Sequence, residues 1–237
     1  MVGIGPGGRE FMTYEAVAAI EAANVVIGYD VYVDLVRPLI GNKDVISTGM
    51  TREIERCNKA LEMALAGKRV ALVCSGDAGI YGMAGLMMEV AAEHPTLEIT
   101  VCAGVTAATA TAARLGAPLT HDFAIISLSD LLTPWEKISK RVSLAAEADL
   151  TICLYNPRSK KRRDHLTKAA ELMLEHKSPT TPCGYVKNAG RDGETAVLCT
   201  LAELAQQDID MFSTIIIGNS ETKVLNGRLI TPRGYHT

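Results

Sequence analysis

The chain alternates short β-branched apolar runs with stretches of helix length, and two of its runs break into glycine-rich turns. Val2 leads into Gly3-Ile4-Gly5-Pro6-Gly7-Gly8, and Val70 to Cys74 leads into Ser75-Gly76-Asp77-Ala78-Gly79-Ile80-Tyr81-Gly82. A continuously apolar run belongs in a sheet covered on both faces, and a strand that turns on glycine into a helix is a building block of parallel sheets. This repetition limits the chain to α/β architectures more tightly than any bulk property does.

The remaining elements follow from period and punctuation. Thr13 caps a helix through Ala23 with Ala16, Ile20 and Ala23 on one face. Val25-Val26-Ile27 reads as a strand ending at Gly28. Residues 51–66 read as a helix stopped by Gly67, 83–94 as a helix and 97–102 as a strand. An alanine-rich helix over 105–115 ends at Gly116 and Pro118. Beyond Pro118 come a strand over 123–128, a helix over 135–147 led in by Pro134, a strand over 150–155 and a helix over 163–175. Strands are expected at 184–186, 196–199 and 214–217, with a short helix over 201–205. Asn226-Gly227 suits the two-residue turn of a hairpin over 224–230. The expectation is two α/β domains, 1–116 with a mainly parallel sheet and 117–237 with a mixed sheet.

Composition excludes more than it identifies. A chain of 237 residues buries a core easily, and 48% hydrophobic with 22% charged residues fits a soluble protein. The net charge of −3 gives no reason to expect nucleic acid or an anionic membrane. No apolar stretch reaches the roughly 18 residues of a membrane span, and no leader segment is visible. The six cysteines are scattered without a C-x-x-C pair, so they read as buried thiols in a reducing cytoplasm, and no metal site is expected.

Gly3, Gly5 and Gly8 spell G-x-G-x-x-G, the dinucleotide fingerprint. That fingerprint requires the helix to open on its last glycine, so that helix amides meet the pyrophosphate. Here Arg9 to Met12 intervene, and Pro6 removes an amide from the loop. Asp30 stands where a ribose acceptor is required, or at the start of the next helix. An NAD-dependent oxidoreductase is therefore the rival reading from a different class.

Taken together, GIGPG at 3–7, SGDAGIYG at 75–82, GVTAATATAARLGAPLTHDF at 104–123 and ICLYNPRS at 152–159 resemble the tetrapyrrole methylases, in an order that covers nearly the whole chain. ISLSDLLTPW at 126–135 and IIIGNSETKVLNGRLITPRGY at 215–235 are similar to the branch that methylates carbon 17 of precorrin-3B or cobalt-factor III. One departure is Ala103 before Gly104, where the family usually has proline. The resemblance implies S-adenosylmethionine as cofactor, ring contraction accompanying methyl transfer in cobalamin biosynthesis, an active-site cleft between two domains, and a homodimer.

By position, the resemblance implies cofactor contacts at Pro6, Ser75, Gly76, Asp77, Ile80, Thr106, Ala107, Asn156 and Ala189. Asp77 and Thr106 also suit plain helix capping. The methyl step needs alignment above all. Ring contraction profits from a proton carrier, for which His121 is the catalytic candidate, although a histidine bonded to backbone is its plainer role. Ser127, Ser129 and Asp130 stand nearby, with Ser129 and Asp130 as expected substrate contacts. The substrate carries many carboxylates, for which Arg158, Lys187 and Arg191 are candidate partners. The run from Lys160 to Arg163 reads as a solvated face or a weak steering patch.

Overall fold

The computed structural model describes residues 1–159 and 162–235, and the chain divides into two compact units, Met1–Ala107 and Ala108–Thr237. The first contains β1 (Val2–Gly3), α1 (Tyr14–Ala22), β2 (Val25–Tyr29), α2 (Asp30–Leu35), α3 (Arg37–Ile40), β3 (Asp44–Thr48), α4 (Glu53–Leu65), β4 (Val70–Cys74) and α5 (Ala84–Val90). Its four strands are all parallel, in the order β1-β4-β2-β3. Successive side chains of a strand point to opposite faces. Val26, Ala71 and Val73 accordingly pack under α1 and α3, while Val25, Ile27, Leu72 and Cys74 pack under α4 and α5. This double cover is why these strands carry no polar alternation.

Local chemistry places the ends. Thr13 Oγ1 accepts from the Ala16 amide at 3.1 Å and starts α1. Gly67, at φ +80°, follows the end of α4. Asp30 is the first residue of α2, so it opens a helix and does not complete a dinucleotide fingerprint. Strand β3 escaped the sequence reading because it is an edge strand, half exposed, whose Asp44, Ser47 and Thr48 interrupt the apolar run. Residues 97–102 form no ladder of their own; the segment meets β1 through a single bridge, Val2 with Cys102.

The second unit holds α6 (Ala107–Leu115), β5 (Gly116–Ala117), β6 (Phe123–Ser127), α7 (Trp135–Glu147), β7 (Thr151–Tyr155), α8 (His165–Leu174), β8 (Pro182–Lys187), β9 (Thr195–Thr200), α9 (Leu201–Leu204), β10 (Ser213–Ile217), β11 (Lys223–Leu225) and β12 (Arg228–Ile230). Its main sheet runs β6-β7-β10-β8-β9. β6 and β7 are parallel, while β10 is antiparallel to both β7 and β8, and β9 is antiparallel to β8. The sheet is mixed, as expected, but with its antiparallel strand inside as well as at the edge. The Asn226-Gly227 hairpin forms, with φ of 50° and 71° at the turn residues.

One face of this sheet buries Ile152, Leu154, Ile215 and Ile217 against α7 and α8. The other buries Cys153, Val186 and Ile216 against Ala108, Ala112 and Leu115 of α6. The division between the compact units falls at the first turn of α6, between Ala107 and Ala108. Its small alanines let the helix lie close on the second sheet, and the sequence alone does not say which sheet that is. Among the described residues, no helix is long and apolar enough to cross a membrane.

Candidate functional site

In the first unit, the segments that follow β1 and β4 lie side by side with a third, which follows the Cys102 bridge. Gly5 and Gly76 exchange backbone hydrogen bonds, Gly5 N to Gly76 O at 3.0 Å and Gly76 N to Gly5 O at 2.7 Å. The Gly3 amide donates to the Cys102 carbonyl at 3.0 Å, which brings in the third segment. A Cβ on Gly104 would stand 2.1 Å from Gly76 O and 2.7 Å from Gly3 C. These glycines serve close approach of backbone to backbone. Gly5 and Gly76 add positive φ, at 70° and 67°.

Asp77 locks the same arrangement. Its Oδ1 accepts from Gly79 N at 2.8 Å and Ile80 N at 3.2 Å, and its Oδ2 accepts from Gly104 N at 2.9 Å. One carboxylate thus satisfies three amides in two loops. Asp77 does not cap the next helix, which begins at Ala84 behind Met83; it ties its own turn to the loop carrying Gly104. Pro6 directly follows Gly5, Ser75 directly precedes Gly76, and Thr106 and Ala107 lie where the third segment turns into α6. The structure therefore gathers Pro6, Ser75, Gly76, Asp77, Ile80, Thr106 and Ala107 on one edge of one sheet, where ligands of open α/β sheets bind.

The donor set of that edge tests which ligand it fits. A pyrophosphate needs several unpaired amides converging on it. Here the amides of Gly5, Gly76, Gly79, Ile80 and Gly104 all have partners within the protein. Those five amides are therefore not available to a phosphate.

In the second unit, the carboxyl ends of β6, β7 and β8 share one edge, because β10 between β7 and β8 runs the other way. Asn156, at φ 53°, follows β7 and donates from Nδ2 to Ser127 Oγ at 3.0 Å. That hydroxyl also accepts from Ser129 N at 3.2 Å. Ala189 follows β8 and Asn188, which has φ 52°. Tyr155, the last residue of β7, accepts from Ala108 N at 2.6 Å and satisfies an early amide of α6. The sequence shows the tyrosine but not this partner 47 positions away.

Several expected residues are spent elsewhere. The Arg158 guanidinium donates to the carbonyls of Ala205 and Gln207, just past α9, so it clamps a helix end and is not displayed to a carboxylate ligand. Lys187 Nζ lies 2.9 Å from Asp210 and 3.8 Å from Asp208. The hydrogen bond to Asp210 raises its pKa above the ordinary lysine value, and a substrate carboxylate would have to compete with both aspartates. His121 Nδ1 accepts from the Asp122 amide at 2.8 Å, the backbone-bonded role weighed for it. Lys160 and Lys161 lie outside the described residues. Arg162 turns inward, 3.7 Å from Asp130.

His165 was absent from the sequence reading. It is a buried histidine at the start of α8, with Nε2 3.0 Å from Asp130 Oδ2 and its ring against Trp135. The cysteines are free thiols, five of them buried and Cys199 partly so. Burial pushes Cys57 and Cys199 up to about 11 and Cys153 to about 12, which suits inert core side chains. Among the described residues no three His, Cys, Asp or Glu side chains cluster as a metal site. A cavity of about 540 Å³ opens at the amino ends of the first sheet's strands, lined by Met1, Val70, Ala71, Ile99 and Thr100 among others. No residue of the glycine turns at 3–8 or 75–82 lines it.

Comparison with known proteins gives the family and the fold. Residues 1–205 match the family model described as Tetrapyrrole (Corrin/Porphyrin) Methylases. A Salmonella typhimurium protein named probable cobalt-factor III C(17)-methyltransferase is 52% identical over 99% of this chain and 98% of its own length. The precorrin-3B C(17)-methyltransferase of a Sinorhizobium species is 39% identical, over 99% and 96%. The crystal structure of the methyltransferase CobJ superposes with a TM-score of 0.92 at 35% identity, covering 98% of each chain. The chain belongs to the tetrapyrrole (corrin/porphyrin) methylase family.

Proposed function

We propose that this enzyme transfers a methyl group from S-adenosylmethionine to carbon 17 of cobalt-factor III or precorrin-3B, with contraction of the macrocycle, in cobalamin biosynthesis. Full-length identity of 52% to a relative bearing the first of those names supports the substrate class. The observation that supports the cofactor is the edge of the first sheet, where the amides of Gly5, Gly76, Gly79, Ile80 and Gly104 are spent within the protein and are not offered to a phosphate. S-adenosylmethionine has no phosphate, and when bound it supplies an activated methyl group on sulfur.

The chain's contribution is position. Three backbone segments joined by Gly3, Gly76, Gly104 and Asp77 form a wall that cannot shift piecemeal, and a donor held in line with its acceptor gains about 7–11 kcal/mol in favourable cases. Pro6, Ser75, Ile80, Thr106 and Ala107 line that wall as cofactor contacts. On the second unit's edge, Asn156 and Ala189 are cofactor contacts, and Ser129 and Asp130 are substrate contacts. Lys187 joins them only by giving up Asp210. His121 is kept as the proton carrier for contraction, a role that needs its Nδ1 freed from the Asp122 amide. A cytoplasmic homodimer completes the reading, and light scattering of the purified protein tests its dimeric part.

Calorimetric titration with S-adenosylhomocysteine and with NADH decides the cofactor. Micromolar binding of the first and none of the second is expected; the reverse refutes the proposal. Incubation with each tetrapyrrole and methyl-labelled cofactor, followed by NMR of the product, locates the new methyl. A label on any carbon other than 17 refutes the regiochemistry.

A further inference from the structure

The segment between β6 and α7, residues 128–134, has no regular structure and carries an apolar tip, with Leu131 71% and Leu132 94% exposed. Leu128 anchors the start, fully buried in the core with its amide donating to the Tyr155 carbonyl at 2.9 Å; past it, an exposed irregular stretch drifts unless it is tied. Here the exposed stretch is tied on both sides, at Asp130 and Trp135, to one buried side chain, His165, which is 9% exposed. Its Nε2 lies 3.0 Å from Oδ2 of Asp130 near the start of the segment. Its ring meets that of Trp135, where α7 begins, edge to face at 4.7 Å between centroids.

The surroundings hold the histidine in turn. Its Nδ1 lies 3.3 Å from Asp164 Oδ1, and Lys168 pairs with Asp164 at 2.6 Å. Arg162 stands 3.7 Å from the other oxygen of Asp130 and donates to the carbonyls of Leu128 at 3.3 Å and Asn156 at 3.4 Å. Asp130 therefore has one oxygen turned to a histidine and the other to an arginine. A carboxylate so restrained can sit beside an anionic ligand, where a free one would be repelled or swing away.

We propose that His165 is the positioning residue of the 128–135 segment: it fixes the Asp130 carboxylate and the Trp135 ring together, so that the segment meets the tetrapyrrole in one geometry. This rests on the methyltransferase reading above. It assigns His165 no contact with the substrate; the histidine acts through Asp130 and Trp135.

Three variants and two readouts test it. His165→Phe keeps a ring against Trp135 but cannot bond to Asp130, His165→Gln restores a donor, and Asp130→Asn weakens the acceptor. The first readout is hydrogen exchange of residues 128–135, which needs no substrate. Exchange at least tenfold faster in His165→Phe, with α7 and α8 unchanged and His165→Gln near the parent, is expected. Unchanged exchange overturns the proposal. The second is steady-state kinetics. His165→Phe should raise the KM for the tetrapyrrole about tenfold, equivalent to 1.4 kcal/mol, while kcat and S-adenosylhomocysteine affinity stay within twofold. The His165→Phe/Asp130→Asn double variant should be little worse than Asp130→Asn alone, because the histidine acts through that carboxylate. Additive effects, or an unchanged KM, overturn the proposal. If His165→Phe does not fold, exchange in Asp130→Asn against His165→Gln decides by the same criterion. A parent enzyme without turnover on either tetrapyrrole refutes the functional reading instead, and the exchange result still judges His165.

Discussion

Substituting Gly104 by alanine puts the backbone wall of the first unit to its hardest test. The new methyl would stand 2.1 Å from the Gly76 carbonyl oxygen and 2.7 Å from the Gly3 carbonyl carbon, and all of these neighbours are backbone. No rotamer change relieves the clash, so the segments must part by about 1 Å to restore van der Waals separation. Overpacking a well-filled site costs about 1–3 kcal/mol when side chains can adjust, and here the upper end applies. For a chain of this length about 3 kcal/mol lowers Tm by roughly 6–12 °C. Parting the segments also breaks the 2.9 Å bond from Gly104 N to Asp77, which holds the turn carrying Ile80. Affinity for S-adenosylhomocysteine should therefore fall by about tenfold or more. Gly85→Ala is the control: it lies in α5 with nothing within 4 Å of its would-be Cβ. It should gain about 1 kcal/mol from helix propensity and leave binding unchanged. Thermal melts and calorimetric titrations of both variants supply the numbers. If Gly104→Ala melts within about 2 °C of the parent and binds as well, the three segments are not rigidly joined and the positioning argument fails.

Arg158→Ala should lower Tm, because hydrogen bonds from a charged group are worth about 1.5–3 kcal/mol each, while the KM for the tetrapyrrole stays within twofold; a large rise in KM with an unchanged Tm restores the carboxylate-binding role. Asp149 pairs with Lys177, whose side chain is only 2% exposed against 45% for the aspartate. Burial opposes the Asp149 charge, but hydrogen bonds from Ser220 and Lys177 outweigh it and hold its pKa below the ordinary 3.8. Its native state thus binds fewer protons than its unfolded state, so the stability it contributes is full above pH 3.8 and is lost as pH falls through the lower folded value. With the carboxylate half exposed the contribution is about 1 kcal/mol. Urea unfolding between pH 5 and 3 should show a shallower acid loss in Asp149→Asn than in the parent, and equal slopes refute the linkage. Iodoacetamide at pH 7.5 should leave Cys57, Cys153 and Cys199 unmodified in the folded protein, since burial keeps them as thiols. In guanidinium all six cysteines should react; rapid labelling of a native thiol, read by mass spectrometry, refutes the buried assignment.

Much of the architecture could be read from residue patterns, because the signals involved are local. Thr13, Gly67, Pro134 and Asn226-Gly227 each set a boundary through their own backbone chemistry, and the boundaries fall where those residues stand. Strand β3 leaves no apolar run in the sequence, because an edge strand half open to solvent carries polar residues such as Asp44 and Ser47. The order and spacing of four motifs along the chain carried the family assignment, and the comparisons bear it out.

The functions of individual polar side chains were less legible. Asp77 was visible as a carboxylate in a glycine turn, yet its third partner, Gly104, lies 27 residues away. Arg158 looks like a cation on display until α9 arrives to use its donors, and Lys187 looks free until Asp208 and Asp210 fold beside it. His165 carried no sequence signal, since its meaning lies in Asp130, 35 positions earlier. The sequence by itself determined where most strands, turns and caps fall, because these depend on neighbours within a few residues, and which family the chain joins, because motif order and spacing are written along the chain. The tertiary structure alone decided which glycines meet backbone, which charges are already paired and which sheet α6 covers. Those outcomes depend on hydrogen-bond partners and packing surfaces that only the folded chain brings within 3 Å or so of each other.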